Sequence, residues 1–147
     1  MKLIKKLLTA LLIGITIYLF VQYDQSVTDI SPVQSAGDNK SILNAVQKRL
    51  KDVQVSGMGR VSRILPDDNY GDRHQRFILR LDNEHTVLIA HNIDLAKRIS
   101  KLRRGDIVRF YGEYEWNPKG GVVHWTHHDP KGYHKDGWLK HSGKIYK

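Results

Sequence analysis

Apolar and polar residues alternate along five separate stretches of the chain, as they do in strands that bury one face. Gly, Pro, Asn and Asp cluster between these stretches, which is typical of turns. The pattern therefore predicts five strands: VQVSGMGRVSRIL (53–65), QRFILRL (75–81), TVLIAHN (86–92), DIVRFYGEYEW (106–116) and VVHWTHH (122–128).

The hydrophobic period changes to that of a helix in two places. Residues 41–52 bring apolar side chains to one face, with Ser41 or Asn39 as the cap, and residues 93–105 do the same, with Asn92 or Asp94 as the cap and Gly105 as the stop. The apolar positions are Ile42, Leu43, Val46 and Leu50 in the first, and Ile93, Ala96, Ile99 and Leu102 in the second. We expect two short helices, the second between strands three and four.

Three strands, a helix and two further strands are the elements of an OB-fold, a small five-stranded barrel. Gly57 and Gly59 in the first strand indicate a bend or bulge, which suits a strand that serves both sides of a barrel. The sequence thus predicts a mainly β, OB-fold-like barrel. Another small antiparallel barrel or an α+β sheet remains open as an alternative.

The N-terminus has the pattern of a membrane segment. A basic head, MKLIKK, precedes an uncharged run of 15 residues, Leu7–Val21, which spans about 22 Å as a helix against a hydrocarbon core of about 30 Å. No small-residue cleavage site follows the run closely, so an uncleaved anchor is favoured over a cleaved signal peptide. We predict a signal anchor or signal peptide over residues 1–23, a polar linker over 24–40 and one folded domain over 41–147.

Charge and composition bear on partners and location. The 147 residues carry a net charge of +9 and no cysteine, which excludes disulfides and thiolate metal sites. A basic surface favours anionic partners. Because lysines before an apolar segment stay inside, we expect the domain outside the cytoplasm, anchored to the inner membrane through residues 7–21 or secreted to the periplasm.

The stretch HWTHHDP, residues 124–130, concentrates imidazole and carboxylate groups that suit a divalent metal or acid–base catalysis. If 122–128 is one strand, His124 and His128 share a face but lie about 13 Å apart, too far for a common zinc ion. A site needs ligands from elsewhere, and a C-terminal tail docked on the barrel could supply them. The catalytic candidates are His124, His127, His128 and Asp129, and the metal candidates are His124, His128, Asp129, His134 and His141. The alternative is that these are hydrogen-bonded residues of the barrel wall.

The stretches RFILRL, GDIVRFYGEYEWNPKGGVVHWTHHDP and GWLKHSGKIY resemble bacterial domain-of-unknown-function family 3465 over roughly residues 53–147. The resemblance implies a small exported or membrane-anchored bacterial protein. It implies no activity and no catalytic residue.

The outward positions of the predicted strands favour a binding module over an enzyme. A basic and aromatic face would bind an anionic or polar ligand of the envelope, such as a glycan, a lipid headgroup or a protein, with an oligonucleotide less favoured. A metal-assisted or histidine-dependent hydrolase, nuclease-like and using the HWTHHDP region, is the alternative. We expect no cofactor for the binding module, and a divalent metal only for the metal-assisted form of the hydrolase. The residues proposed for the face are Arg76, Arg80, Arg109, Tyr111 and Lys119.

Overall fold

The computed structural model describes residues 38–147. The predicted membrane segment and the linker up to residue 37 lie outside the described residues. Over 38–147, no helix has both the length and the apolar character needed to cross a bilayer.

The described part is mainly β, with one short helix. The alternating pattern located all five barrel strands, although the last is shorter than predicted. The elements in chain order are α1 (Lys40–Gln47), β1 (Val53–Ile64), β2 (His74–Arg80), β3 (Thr86–Asn92), β4 (Ile107–Glu115), β5 (Val122–His124), β6 (Trp138–His141) and β7 (Lys144–Tyr146).

The first five strands close into a barrel, in the order β1–β2–β3–β5–β4 and back to β1. Closure depends on β1, which pairs with β4 from Val53 to Arg60 and with β2 from Arg60 to Ile64. The register shifts between Val61 and Arg63, so the bulge lies beyond the two glycines that suggested it. All of these pairings are antiparallel except β3 with β5, which is parallel.

Side chains that point into the barrel form a single core. The inward positions of β4, for example, are fully buried, while its odd-numbered positions from Ile107 to Glu115 are partly exposed. This alternation is the physical basis on which the sequence predicted the strand. The largest buried side chains are Tyr114, Phe77, Phe110, Ile42, Leu79, Ile89, Ile99 and Leu139.

The predicted first helix is present, and it packs Ile42 and Ala45 against the barrel. Asn39, which the sequence assigned to the linker, is fully buried. Its side chain accepts a hydrogen bond from the Met58 backbone N–H at 2.7 Å and donates to Asp82 at 3.1 Å. Asn39 therefore ties the helix start to β1 and to the turn between β2 and β3.

The predicted helix between the third and fourth strands is wrong, because residues 93–104 form turns. Side chains take the backbone groups that a helix would use. The Gln75 amide bonds both the N–H and the C=O of Ile99, at 2.9 and 3.0 Å. The Asn92 side-chain oxygen accepts the N–H groups of Asp94 and Leu95. The apolar residues Ile99 and Leu102 pack against the core without a helix.

The predicted end of the last strand is also wrong, because β5 ends at His124 rather than at His128. Trp125 has a positive φ of 48°, which breaks the extended conformation. The alternation of faces predicted for residues 122–128 therefore stops at this residue. Thr126 and His127 are both buried, and His128 is exposed.

The C-terminal tail docks on the barrel, as the sequence predicted, and there it forms a two-stranded ribbon. Strand β6 pairs antiparallel with β4, from Val108 opposite His141 to Tyr111 opposite Trp138. Strand β7 then pairs with β6. The tail thus extends the sheet beyond the edge of β4.

Candidate functional site

Two carboxylates and two imidazoles meet on the outer surface of β4 and β5, and we call Glu113, Glu115, His124 and His134 the β4–β5 cluster. Glu113 and Glu115 are two residues apart on β4 and so point to the same side. The antiparallel register places Glu113 directly opposite His124. One Glu113 carboxylate oxygen lies 3.6 Å from His124 Nε2, and the other lies 3.1 Å from His134 Nδ1.

Three members of the β4–β5 cluster have the arrangement of a metal site. Ligand atoms of Glu113, Glu115 and His124 all lie within 4.8 Å of one another. Carboxylate oxygen and imidazole nitrogen together suit zinc and other divalent ions. Moreover, His124 Nε2 is shielded from solvent and has no hydrogen-bond partner within residues 38–147. The lone pair of this nitrogen is therefore available for a metal ion when the ring is neutral with its proton on Nδ1.

The local electrostatics favour the neutral form of that ring. Burial lowers the pKa of His124 below its usual value, and the nearby Glu113 carboxylate only partly opposes this. The pKa of Glu115 is raised, chiefly through its contact with the carboxyl group of Asp52. Cation binding at the cluster would relieve this crowding of carboxylates.

Asp129 holds the loop that brings His134 to the cluster. Its carboxylate accepts hydrogen bonds from the backbone N–H groups of Lys131, Tyr133 and His134, at 2.9, 2.7 and 2.8 Å. These bonds lower the pKa of Asp129, with that from His134 the largest contribution. The His134 ring then stacks on Trp125 with 3.8 Å between ring centroids. Both Asp129 oxygens are thus engaged in holding the loop.

The remaining candidate histidines have separate partners. His127 is buried and bonds the carbonyl of its neighbour through Nδ1 at 2.7 Å. His128 pairs with Asp136 at 2.7 Å, and His141 pairs with Asp106 at 2.8 Å. Of the five predicted metal ligands, the structure therefore brings only His124 and His134 to one carboxylate.

A groove lies over the outer face of β2 and β3, beside the loop that joins β4 to β5. Its volume is about 210 Å³. Ile78 and Leu88, which are register partners, form part of its lining. The Asn117 side chain fixes the β4–β5 loop at its rim by accepting the N–H groups of Lys119 and Gly121. The residues that line the groove are Leu65, Ile78, Thr86, Val87, Leu88, Asn117, Lys119 and Gly121.

The five residues proposed for a basic and aromatic face divide between two surfaces. Lys119 lines the groove, and Arg76 and Arg80 lie on β2 beside it. Arg109 pairs with Asp38 at 2.7 Å, and Tyr111 packs its ring on Trp138 of β6. Neither Arg109 nor Tyr111 lines the groove.

A family model described as "Protein of unknown function (DUF3465)" matches residues 25–147. The chain belongs to this family. The DUF3465 match is longer than the resemblance over 53–147 indicated, and it includes the helix α1. A comparison with curated proteins found no match. Both the β4–β5 cluster and the groove lie within the DUF3465 region.

Sequence reasoning about this DUF3465 chain missed Glu113 and Glu115 as partners of the histidines. The alternation in GEYEW did place both glutamates on the outward face of the fourth strand. What it could not give is the register between β4 and β5, which sets Glu113 opposite His124. A search for carboxylates on the strand next to HWTHHDP would have found them.

Proposed function

We propose that this chain is an OB-fold binding module for an acidic oligosaccharide, attached to the outside of the inner membrane through residues 7–21. The observation that carries the proposal is the position of the groove. It lies over strands two and three, between the β1–β2 and β4–β5 loops. OB-folds bind oligosaccharides and oligonucleotides on this surface.

The barrel topology supports this assignment to the OB-fold. In this fold the first strand bends to pair with both the second and the fourth, and the third and fifth strands pair in parallel, as β1, β3 and β5 do. The predicted helix after the third strand is not required for barrel closure, because hydrogen bonds between strands close it.

The chemistry of the groove suits a sugar that carries an acidic group. The outward side chains of Ile78 and Leu88 provide an apolar surface for the face of a pyranose ring. Lys119 at the rim provides a cation for its carboxylate or sulfate group. Arg76 follows along β2, although its guanidinium already contacts Pro66 and Asp68.

Binding of oligogalacturonate tests this proposal. We expect the Lys119→Gln variant to lose about tenfold in affinity, because a charge-assisted hydrogen bond is lost. The Ile78→Ser variant should lose a similar amount through reduced apolar contact. Calorimetric titration of the full chain measures both.

The matched control is Lys140→Gln, an exposed lysine on β6 that lies away from the groove. It should bind as the unaltered chain does. A Lys140→Gln loss as large as that of Lys119→Gln would contradict a defined groove site. Tighter binding of single-stranded DNA than of the glycan would replace the proposed ligand class with an oligonucleotide.

The β4–β5 cluster favours a second candidate function, a metal-assisted hydrolase. The carrying observation is the convergence of Glu113, Glu115 and His124 ligand atoms within 4.8 Å, with a shielded, unpartnered imidazole nitrogen among them. A bound divalent ion could activate water for attack on a phosphodiester. His134 would then position Glu113 through its hydrogen bond.

Zinc titration tests this second candidate. We expect the unaltered chain to bind one equivalent of Zn²⁺, and Glu113→Gln or His124→Gln to weaken binding by about 100-fold, because a direct ligand is lost. His128→Gln, which leaves the cluster intact, is the control. Equal zinc affinity in all four proteins would rule out this site. Zinc binding without any zinc-dependent cleavage of DNA would leave a metal centre but reject the hydrolase.

A further inference from the structure

A second concavity, of about 340 Å³, lies between the β3–β4 connection and the C-terminal ribbon. It is next to the start of β4, whereas the groove is next to the loop that follows the end of β4. Its volume is that of a site for a small molecule. We call it the ribbon pocket, and it is lined by Ser100, Lys101, Arg103, Asp106, His141, Ser142, Lys144 and Tyr146.

One hydrogen-bonded carboxylate fixes the two walls of the ribbon pocket. Asp106 accepts the backbone N–H of Arg103 at 2.9 Å from one wall. The same oxygen atom lies 2.8 Å from Nε2 of His141, on the other wall. The register of β6 on β4, with His141 opposite Val108, brings these groups together. The Asp106 carboxylate thus holds the two walls of the pocket together.

The ribbon turn places two more groups at the mouth of the pocket. Strands β6 and β7 are joined by Ser142 and Gly143, which both have positive φ, at 48° and 77°. This is the backbone of a type I′ hairpin turn. Ser142 and Lys144, at and just after this turn, both line the pocket.

The positive charge of the ribbon pocket is not balanced by acidic partners. Within residues 38–147, Lys101, Arg103 and Lys144 form no ion pair. By contrast, five arginines elsewhere on the barrel each pair with a carboxylate: Arg73, Arg76, Arg80, Arg98 and Arg109. In the described part of the chain, the only carboxylate that lines the pocket is Asp106, which already has two donors. The pocket therefore holds an excess of positive charge.

The neutral polar groups of the pocket also favour binding of an anion. Ser100, Ser142 and Tyr146 bring hydroxyl groups that can donate to an anion. Three cations and three hydroxyls around a space of this size match the many acceptor lone pairs of a tetrahedral oxyanion. Phosphate groups are bound by such sets of Lys, Arg and hydroxyl donors.

We propose that the ribbon pocket binds the phosphate group of a phosphomonoester. Lys101, Arg103 and Lys144 neutralise its charge, and the serine and tyrosine hydroxyls orient its oxygens. The Asp106–His141 pair keeps the two walls at a fixed separation. This site is independent of the groove and of the β4–β5 cluster, so either of those proposals can fail without affecting it.

Titration of the full chain with inorganic phosphate, glycerol 3-phosphate and glucose 6-phosphate tests the proposal. We expect saturable binding of all three, and about a tenfold loss of affinity in the double variant Lys101→Gln/Lys144→Gln. Tyr146→Phe, which keeps the ring packing, should lose about threefold through its hydroxyl. Phosphorus NMR line broadening reports binding directly.

The matched control is Lys48→Gln/Lys131→Gln, which removes the same charge from exposed positions outside the pocket. It should retain the affinity of the unaltered chain. An equal loss in the control, or acetate binding as tightly as phosphate, would overturn the proposal. Absence of saturable binding in the folded protein would also overturn it. Tighter binding of glycerol 3-phosphate would identify a lipid headgroup as the source of the phosphate. Tighter binding of glucose 6-phosphate would identify a soluble sugar ester.

Discussion

Replacing Gly137 with alanine is expected to destabilise the barrel by about 3 kcal/mol, near the upper end for overpacking. A Cβ atom at this position would overlap the backbone carbonyl oxygens of Trp125 and Tyr111, and it would also meet the Thr126 backbone at 2.9 Å. Backbone atoms on both sides cannot rotate away, so the strands themselves must separate. The hydrogen bond from Gly137 N–H to the His127 carbonyl, 2.9 Å long, would be strained as well.

The effect of Gly137→Ala should extend to the ribbon pocket and to the β4–β5 cluster. Gly137 directly precedes β6, so its displacement would move the ribbon relative to β4. That movement would widen the ribbon pocket and shift the loop that carries His134. We therefore expect loss of phosphate binding along with loss of stability, whereas the groove over β2 and β3 should keep its ligand.

Urea unfolding, followed by tryptophan fluorescence, measures the change, and Gly132→Ala is the control. Gly132 has a positive φ of 68° but no atom within 4 Å of an added Cβ. It should lose only about 1 kcal/mol, the ordinary cost of a left-handed alanine. Equal losses in the two variants would contradict the close approach of the Trp125 and Tyr111 carbonyls as the reason for the glycine at 137.

The alternation of apolar residues was sufficient to locate the barrel strands, because each buries one face. It failed where side chains compete with backbone hydrogen bonds. Ile93, Ala96, Ile99 and Leu102 have helical spacing, yet the Gln75 amide bonds both backbone groups of Ile99. Gln75 lies on another strand, so a local pattern could not reveal this competition.

The candidate sites were less predictable than the fold, because they depend on register. The composition of HWTHHDP indicated a metal or catalytic site, but three of its polar residues stabilise the local loop instead. His127, His128 and Asp129 form hydrogen bonds with neighbouring loop atoms. The carboxylates that meet His124 come from another strand. The ribbon pocket depends on strands β6 and β7, whose positions on β4 follow from tertiary contacts rather than from any local motif.

The barrel is also expected to lose stability in mild acid, because His91 is buried in its neutral form. The ring is fully buried on β3. Its Nδ1 lies 2.8 Å from the Thr126 hydroxyl, and its Nε2 lies 3.3 Å from the Lys97 carbonyl. This arrangement suits a neutral imidazole that donates through Nε2 and accepts through Nδ1. Burial, the largest effect, lowers the pKa of His91 from 6.5 to about 4.

The sign of the effect follows from proton binding. Between pH 6.5 and about 4, the unfolded chain holds a proton on His91 and the folded chain does not. Acid therefore favours unfolding, and the contribution of the neutral ring is complete above pH 6.5 and decreases as the pH falls towards 4. A shift of this size corresponds to about 3 kcal/mol. His124, whose pKa is also lowered, adds to the decrease in the same direction.

Urea unfolding at a series of pH values from 7.5 to 4 measures this dependence, and His91→Gln isolates the contribution of His91. Glutamine can donate to the Lys97 carbonyl and accept from Thr126 but does not titrate, so the variant should lose most of the slope between pH 6.5 and 4. His128→Gln removes an exposed imidazole and should keep the slope.

The carboxyls with lowered pKa contribute stability that is lost only at more acidic pH, below their unfolded values near 4. These carboxyls are Asp94, Asp129 and Asp136. An unchanged slope in His91→Gln would therefore assign the acid sensitivity to another group and contradict a buried neutral imidazole at position 91.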